Sequence, residues 1–279
     1  MRETKKMAVF HDLSGYGRCS LAVALPVIAA MGVQGCPIPT AVLSNHLGFP
    51  EWYMKDLTQE LPSYIQTWKN LHLEFDGILI GYLGNVAQMD LVRDFVHSFR
   101  REKTKVYLDP VMGDHGRLYS SCNEAFCEEM RELLSLSDTI FPNLTEACFL
   151  TRTPYREKFS RKELVQMAEE LLKMGPSCVV MSGIEEGNFL CNLVCERNST
   201  VHWVKKKKSG QNRPGTGDLF SAIIAAGNLM NQENLSSVSL AAEFIRRAVK
   251  RSQEQNTALV EGVCFEKELS FLTRSLLAK

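Results

Sequence analysis

Apolar strand-like runs alternating with helix-period stretches predict an α/β fold, a mainly parallel central sheet with helices on both faces. Three observations carry that prediction. Short apolar runs bounded by Gly, Pro and Asn recur along the chain. Amphipathic stretches fall between them, as right-handed crossovers between parallel strands require. No repeat or low-complexity linker interrupts the pattern, so residues 1–279 are expected to form a single domain.

Taken in order, residues 7–12 read as a buried strand, and the apolar stretch 20–31 as a helix carrying Pro26, a residue that kinks helices. Further strands are expected at 36–43, 77–83, 105–111, 139–142 and 178–184. Helical patterns cover roughly 57–71, 87–101, 123–136, 161–174, 236–254 and 265–277. Late in the chain, residues 190–196 and 200–208, joined by Arg197-Asn198-Ser199, read as an antiparallel hairpin at one edge of the sheet.

The 279 residues are 45% hydrophobic and 23% charged, enough to bury a substantial core. Lys plus Arg equals Asp plus Glu at 32 each, so no global field draws the chain to nucleic acid or an anionic membrane. Any polyanion site is local. The start, residues 1–12, carries too brief an apolar run for a signal peptide or a membrane span, and a cytoplasmic protein is expected. Nine scattered cysteines without a CxxC pair read as small buried hydrophobes rather than a metal site.

In open α/β sheets, ligands bind beyond the carboxyl ends of the strands. Asp12, Tyr82, Asp109, Asn143, Ser182 and the Gly215 loop all fall at such ends. Gly215-Thr216-Gly217-Asp218 directly precedes an apolar helix. Two glycines permit a close turn, the helix start offers unpaired N–H groups and positive partial charge, and Asp218 is placed to accept a hydroxyl proton. The same residues also read as a tight turn with a capping Asp.

Asp109-Pro110-Val111-Met112-Gly113-Asp114 sets two carboxylates around a turn, which suits either turn chemistry or a magnesium–ATP site. Asn143-Leu144-Thr145-Glu146 reads as a capping box or as a phosphate and metal site. The glycine-bearing loop 12–17 could close on a small ligand but lacks the G-x-G-x-x-G order of a dinucleotide site. Ser44-Asn45-His46 and Gly81-Tyr82 offer hydrogen bonds and a ring for stacking. The Lys205 to Lys208 run reads as a solvated edge strand rather than a nucleic-acid patch.

These motifs together resemble the ribokinase-like superfamily, in particular its vitamin kinases. Ser44-Asn45-His46, Gly81-Tyr82 and the stretch Arg213 to Ala222 are similar to pyridoxal and pyridoxamine kinases. The resemblance implies ATP-dependent phosphorylation of the 5′-hydroxymethyl group of a B6 vitamer, in pyridoxal phosphate salvage. It implies Asp218 as base, with Gly215, Thr216 and Gly217 as the anion hole. Asp109, Asp114, Asn143, Glu146 and Ser182 would meet the nucleotide, with Asp109 and Glu146 on Mg²⁺, while Asp12, Ser44, His46 and Tyr82 would line the substrate pocket. A homodimer and a mobile flap at residues 114–117 are implied as well. Many pyridoxal kinases carry Ser where this chain has Asp12, and the Asp12-Leu13-Ser14-Gly15 start is similar instead to hydroxymethylpyrimidine kinases, the alternative substrate class. A non-catalytic ligand-binding module of the same fold is the more remote alternative.

Overall fold

The computed structural model describes residues 4–277. Residues 1–3, part of the start read above as too short for a signal peptide, lie outside the described residues, as do 278–279. The chain runs β1 (Lys6–Tyr16), α1 (Ser20–Ala30), β2 (Gln34–Asn45), β3 (Met54–Asp56), α2 (Leu61–Asn70), β4 (Gly77–Ile80), α3 (Val86–Phe99) and β5 (Lys105–Leu108). It continues through β6 (Gly113–Asp114), β7 (Arg117–Leu118), α4 (Glu124–Leu134), β8 (Thr139–Ile140), α5 (Leu144–Leu150), α6 (Arg161–Lys173) and β9 (Cys178–Glu186). The last elements are β10 (Phe189–Glu196), β11 (His202–Lys207), α7 (Thr216–Leu229), α8 (Asn234–Glu254) and α9 (Leu269–Leu277).

Nine strands form one sheet in the order β11-β10-β9-β8-β5-β4-β1-β2-β3. The six from β9 to β2 pair in parallel, while the edge pairings β9 with β10, β10 with β11 and β2 with β3 are antiparallel. The central strands are apolar throughout because both faces are covered. In β1, Ala8 and Phe10 join one core with α2 to α6, whereas Met7 and Val9 join a second core with α1, α7 and α8. That alternation is the period of two that a pleated strand imposes.

The expected alternation, parallel sheet and late hairpin are present, and the differences lie at element ends and in short strands that were not expected. Residues 13–16 continue β1 along β2 after a bulge between His11 and Leu13, so Asp12 lies inside a strand rather than at its end. The loop expected at 12–17 is accordingly mostly ladder. β3 went unseen because three residues carry no periodicity. Pro26 sits inside a continuous α1. His115 and Gly116, at φ 49° and 76°, turn residues 113–118 into a two-residue hairpin of the primed type, a turn that needs left-handed backbone at both positions. The basic run on the β11 edge is ion-paired: Lys205 with Glu186, Lys206 with Glu243 and Lys208 with Glu185.

The nine cysteines are free, seven buried and two half-buried. Among the described residues no helix is long and apolar enough to cross a membrane.

Strand β1 lies between β2 on one side and β4 on the other, so the chain reverses its direction of winding there. The crevice at the carboxyl ends of β1 and β4 is the topological switch point, where such sheets bind ligands. One wall of the sheet beneath it is an aromatic cluster. Phe95 packs edge-on to Phe10 at 4.9 Å and against Phe99 at 4.3 Å, with Phe75 at 5.9 Å. Phe95 is fully buried, so we expect Phe95→Ala to cost about 3–5 kcal/mol in urea denaturation.

Candidate active site

The first turn of α7 meets β1 at its bulge over that crevice. Gly215 caps α7 with a left-handed backbone (φ 80°) and contributes no side chain to its N-terminal amides. A Cβ on Gly215 would collide with the Arg18 carbonyl, so glycine is required by both conformation and space. Gly217 differs. Its φ is unexceptional, and an added Cβ would meet nothing within 4 Å. The protein itself does not need a glycine there, and the open space lies beside amides with no intrahelical partner, which is the shape of an anion cradle.

Asp218 occupies the same turn, its side chain 16% exposed. Oδ2 accepts the Ser20 amide at 2.5 Å, and Oδ1 lies 3.2 Å from His11 Nε2. Ser20 reaches it from a left-handed conformation (φ 56°), costly for a residue with a Cβ and typical of backbone strained into service at a site. His11 was not among the sequence candidates. It ends the apolar run of β1, packs so closely over Gly81 that a Cβ there would strike its ring, and is 4% exposed.

His11 Nδ1 lies 2.9 Å from Asp12 Oδ1 and 3.0 Å from the Asp12 amide. The carboxylate contact decides the proton's place, since a charge-assisted bond is about twice as strong as a neutral one. Burial alone would lower the His11 pKa, but the charge of Asp218 and hydrogen bonds to Asp12 and Asp218 push it up to about 10. Burial would raise the Asp12 carboxyl, yet its bond to His11 and the His11 charge hold it below the usual range. The other oxygen of Asp12 accepts the Ser14 hydroxyl at 3.1 Å.

Asp109, after β5, and Glu146, in the first turn of α5, are buried at 7% and 3% exposure. Burial, then the charge of Asp218, pushes the Asp109 carboxyl up to about 7, against an opposing hydrogen bond from Ser221. Burial and the neighbouring Asp109 raise Glu146 well above the ordinary carboxyl range. Both halves of the expected capping box are present: Asn143 Oδ1 accepts the Glu146 amide at 2.9 Å, and Glu146 Oε2 accepts the Asn143 amide at 2.8 Å. Glu146 also accepts the Met112 amide, and the Asn143 side chain donates to the Gly113 carbonyl, so α5 holds the base of the β6–β7 hairpin.

Capping therefore does not exclude a ligand role. Two buried, mutually repelling carboxylates fit a divalent cation, whose charge relieves the repulsion. Among the described residues no cluster of three or more His, Cys, Asp or Glu is arranged to hold a metal.

The remaining candidates distribute around this centre. Ser182 bridges Asn143 across the β8–β9 extension, and its amide donates to Pro142. Asp114 and His115 form the exposed tip of the hairpin, pinned by the Gly116 amide on Thr145 Oγ1 and by Tyr155, whose ring closes on Gly116. Tyr82 follows β4, its carbonyl accepting Thr40 Oγ1, and its hydroxyl is raised by burial, with Asp12 among the charges acting on it. Ser44 bonds Asn45 and the Tyr53 amide. His46 Nδ1 accepts the Gly48 amide, so Nε2 carries the proton and donates to the Val260 carbonyl at 2.6 Å.

Arg213, buried and also absent from the candidates, donates to Thr257, Ala258 and Gly262 carbonyls and ties residues 257–262 under the Gly215 turn. The available signal for it was only its position two residues before the glycine turn, since its burial is decided by the fold.

The family model of phosphomethylpyrimidine kinase matches residues 23–261. A Bacteroides thetaiotaomicron protein named for phosphomethylpyrimidine kinase and crystallised in one form with pyridoxal superimposes with a TM-score of 0.93 at 36% identity, covering 97% of this chain and 96% of that one. Pyridoxal kinase from Lactobacillus plantarum gives a TM-score of 0.91 at 28% identity, covering 98% of each chain. Pyridoxal kinase of Arabidopsis thaliana is 27% identical over 256 residues, 87% of this chain and 80% of that protein.

Two outcomes are expected from this geometry. Gly215→Ala will lower the melting temperature, whereas Gly217→Ala will leave it nearly unchanged and weaken nucleotide binding, both read by thermal shift with and without ATP. His11 also gives stability a defined pH dependence. Its folded pKa of about 10 exceeds the unfolded 6.5, so its contribution is complete below the unfolded value and is lost as pH rises through the folded one. Urea denaturation of wild type against His11→Gln across that window will show the advantage shrinking.

Proposed function

This chain belongs to the phosphomethylpyrimidine kinase family, and from that premise we propose that it transfers the γ-phosphoryl group of ATP to the 5′-hydroxymethyl oxygen of a B6 vitamer. The observation that carries the reading is the carboxylate of Asp218, fixed at both oxygens beside the bare N-terminal amides of α7. An acid and an anion cradle in one helical turn are the two requirements of phosphoryl transfer to an alcohol. A module that had given up catalysis would keep no need for either.

In the proposed step Asp218 accepts the proton of the substrate hydroxyl as its oxygen attacks the γ-phosphorus. The new O–P bond forms, the bond to the β,γ-bridging oxygen breaks, and ADP leaves. The amides of Thr216, Gly217 and Asp218 stabilise charge on the moving phosphoryl group. Asp109, Asp114, Asn143, Glu146 and Ser182 are assigned to the nucleotide side. Asp109 and Glu146 would hold Mg²⁺, which supplies neutralisation of the triphosphate charge. Asp12, Ser44, His46 and Tyr82 are assigned to the substrate side, and the hairpin over residues 114–117 to exclusion of water. The proposal includes a cytoplasmic homodimer, the latter to be read by light scattering.

Pyridoxal in the structure of the relative at 36% identity supports a B6 vitamer. Asp12 and the family model keep hydroxymethylpyrimidine as the second reading. Steady-state turnover of pyridoxal, pyridoxamine, pyridoxine and hydroxymethylpyrimidine separates them. We expect a B6 vitamer to be preferred, and a clear preference for hydroxymethylpyrimidine overturns the substrate assignment. Asp218→Asn is expected to lower kcat by about 10²- to 10⁴-fold, the usual contribution of a general base.

A further inference from the structure

We propose that His11 is the positioning residue of the catalytic base, clamped by Asp12 through Nδ1 and holding Asp218 through Nε2 in the orientation that faces the acceptor alcohol. The inference rests on the proposed role of Asp218 and assigns a purpose to a side chain that the motifs leave out. Three observations carry it.

First, the ring bridges two carboxylates that lie far apart in sequence, 2.9 Å from Asp12 and 3.2 Å from Asp218. Both contacts are satisfied together only when both ring nitrogens carry protons. Second, the ring has little freedom to turn, since it is buried and lies against the backbone of Gly81, where a Cβ would displace it. Third, Asp12 has internal partners for both carboxylate oxygens, His11 and Ser14. Its carboxylate therefore braces His11 as well as bordering the substrate side. With Ser20 N–H on the other oxygen of Asp218, the base is held at two points from β1 and α1. A base held at both oxygens cannot rotate away from the alcohol between turnovers, and misplacement of a reacting group by about 1 Å can cost 10²-fold in rate.

Two substitutions separate positioning from bulk structure. The side-chain amide of Gln can reach the place of Nε2 and keep a donor on Asp218. The shorter Asn places its donor near Nδ1 and leaves Asp218 without one. We expect His11→Gln to retain kcat within about threefold and His11→Asn to lose about 10- to 100-fold, with KM for ATP changed less than about twofold in both.

Thermal melts of both variants accompany the kinetics. If kcat falls equally in the two variants, or falls only in step with melting temperature, His11 is structural and the proposal is overturned. A second readout needs no turnover. Long-range ¹⁵N NMR of the full chain, with the His11 signals assigned by their loss in His11→Gln, is expected to show both nitrogens protonated. Asp218→Asn should then displace the Nε2 resonance and leave Nδ1 in place. An unmoved Nε2 resonance overturns the clamp. Failure of the wild type to phosphorylate any of the four alcohols would instead overturn the proposed function, while the NMR result would still report on the clamp.

Discussion

Negative charge gathered out of water is the constraint around which this molecule is arranged. Asp12 at the bulge of β1, Asp109 after β5 and Glu146 in the first turn of α5 are buried, and Asp218 in the first turn of α7 is nearly so. Burying even one unpaired carboxylate costs several kcal/mol. The chain meets that cost in two ways. On the β1 side it supplies a cation, His11, and the Ser20 amide. On the β5 side it supplies backbone amides from Asn143 and Met112 to Glu146 and leaves the carboxyl groups of Asp109 and Glu146 raised by burial and by one another. On the first side one imidazolium offsets one of the two carboxylate charges and both carboxylates are hydrogen-bonded, whereas on the second side Asp109 and Glu146 have no positive side chain among the causes that hold them, apart from the more distant His11.

The neighbouring glycines have different physical tasks. At Gly215 the turn demands left-handed backbone and close passage of the Arg18 carbonyl, so the fold itself excludes a side chain. At Gly217 the fold asks for nothing, and the missing side chain leaves room beside the helix N-terminus. Arg213 and Gly262 lock the segment 257–262 beneath that turn, and His46 ties the end of β2 to the same segment. The cradle is thus assembled from four distant stretches, which fixes the amides before any ligand arrives.

Much of this was legible in the chain. The strands were visible because both faces of a parallel sheet are buried, giving apolar runs that end in turn residues. The Asn143–Glu146 capping box was visible because its two bonds are local and span three residues. Element ends were not legible. Whether β1 stops at Asp12 or continues to Tyr16 depends on a bulge opposite β2, and a sequence window does not contain the partner strand. The β6–β7 hairpin was read as a flap without its strands, since two residues in each arm give no alternation.

By itself the sequence determined the layered α/β architecture, the late hairpin, and the local chemistry of the Gly215 turn with its acid. These follow from interactions between residues close in the chain or from burial patterns repeated along it. Only the tertiary structure decided that His11 stands between Asp12 and Asp218, a contact spanning 207 positions. It likewise decided that Gly217 faces open space, and that Asp109 and Glu146 share a charge environment. The reason is physical: a lone His on an apolar strand reads the same whether it packs or bridges, and only the fold brings a second carboxylate to the far side of its ring.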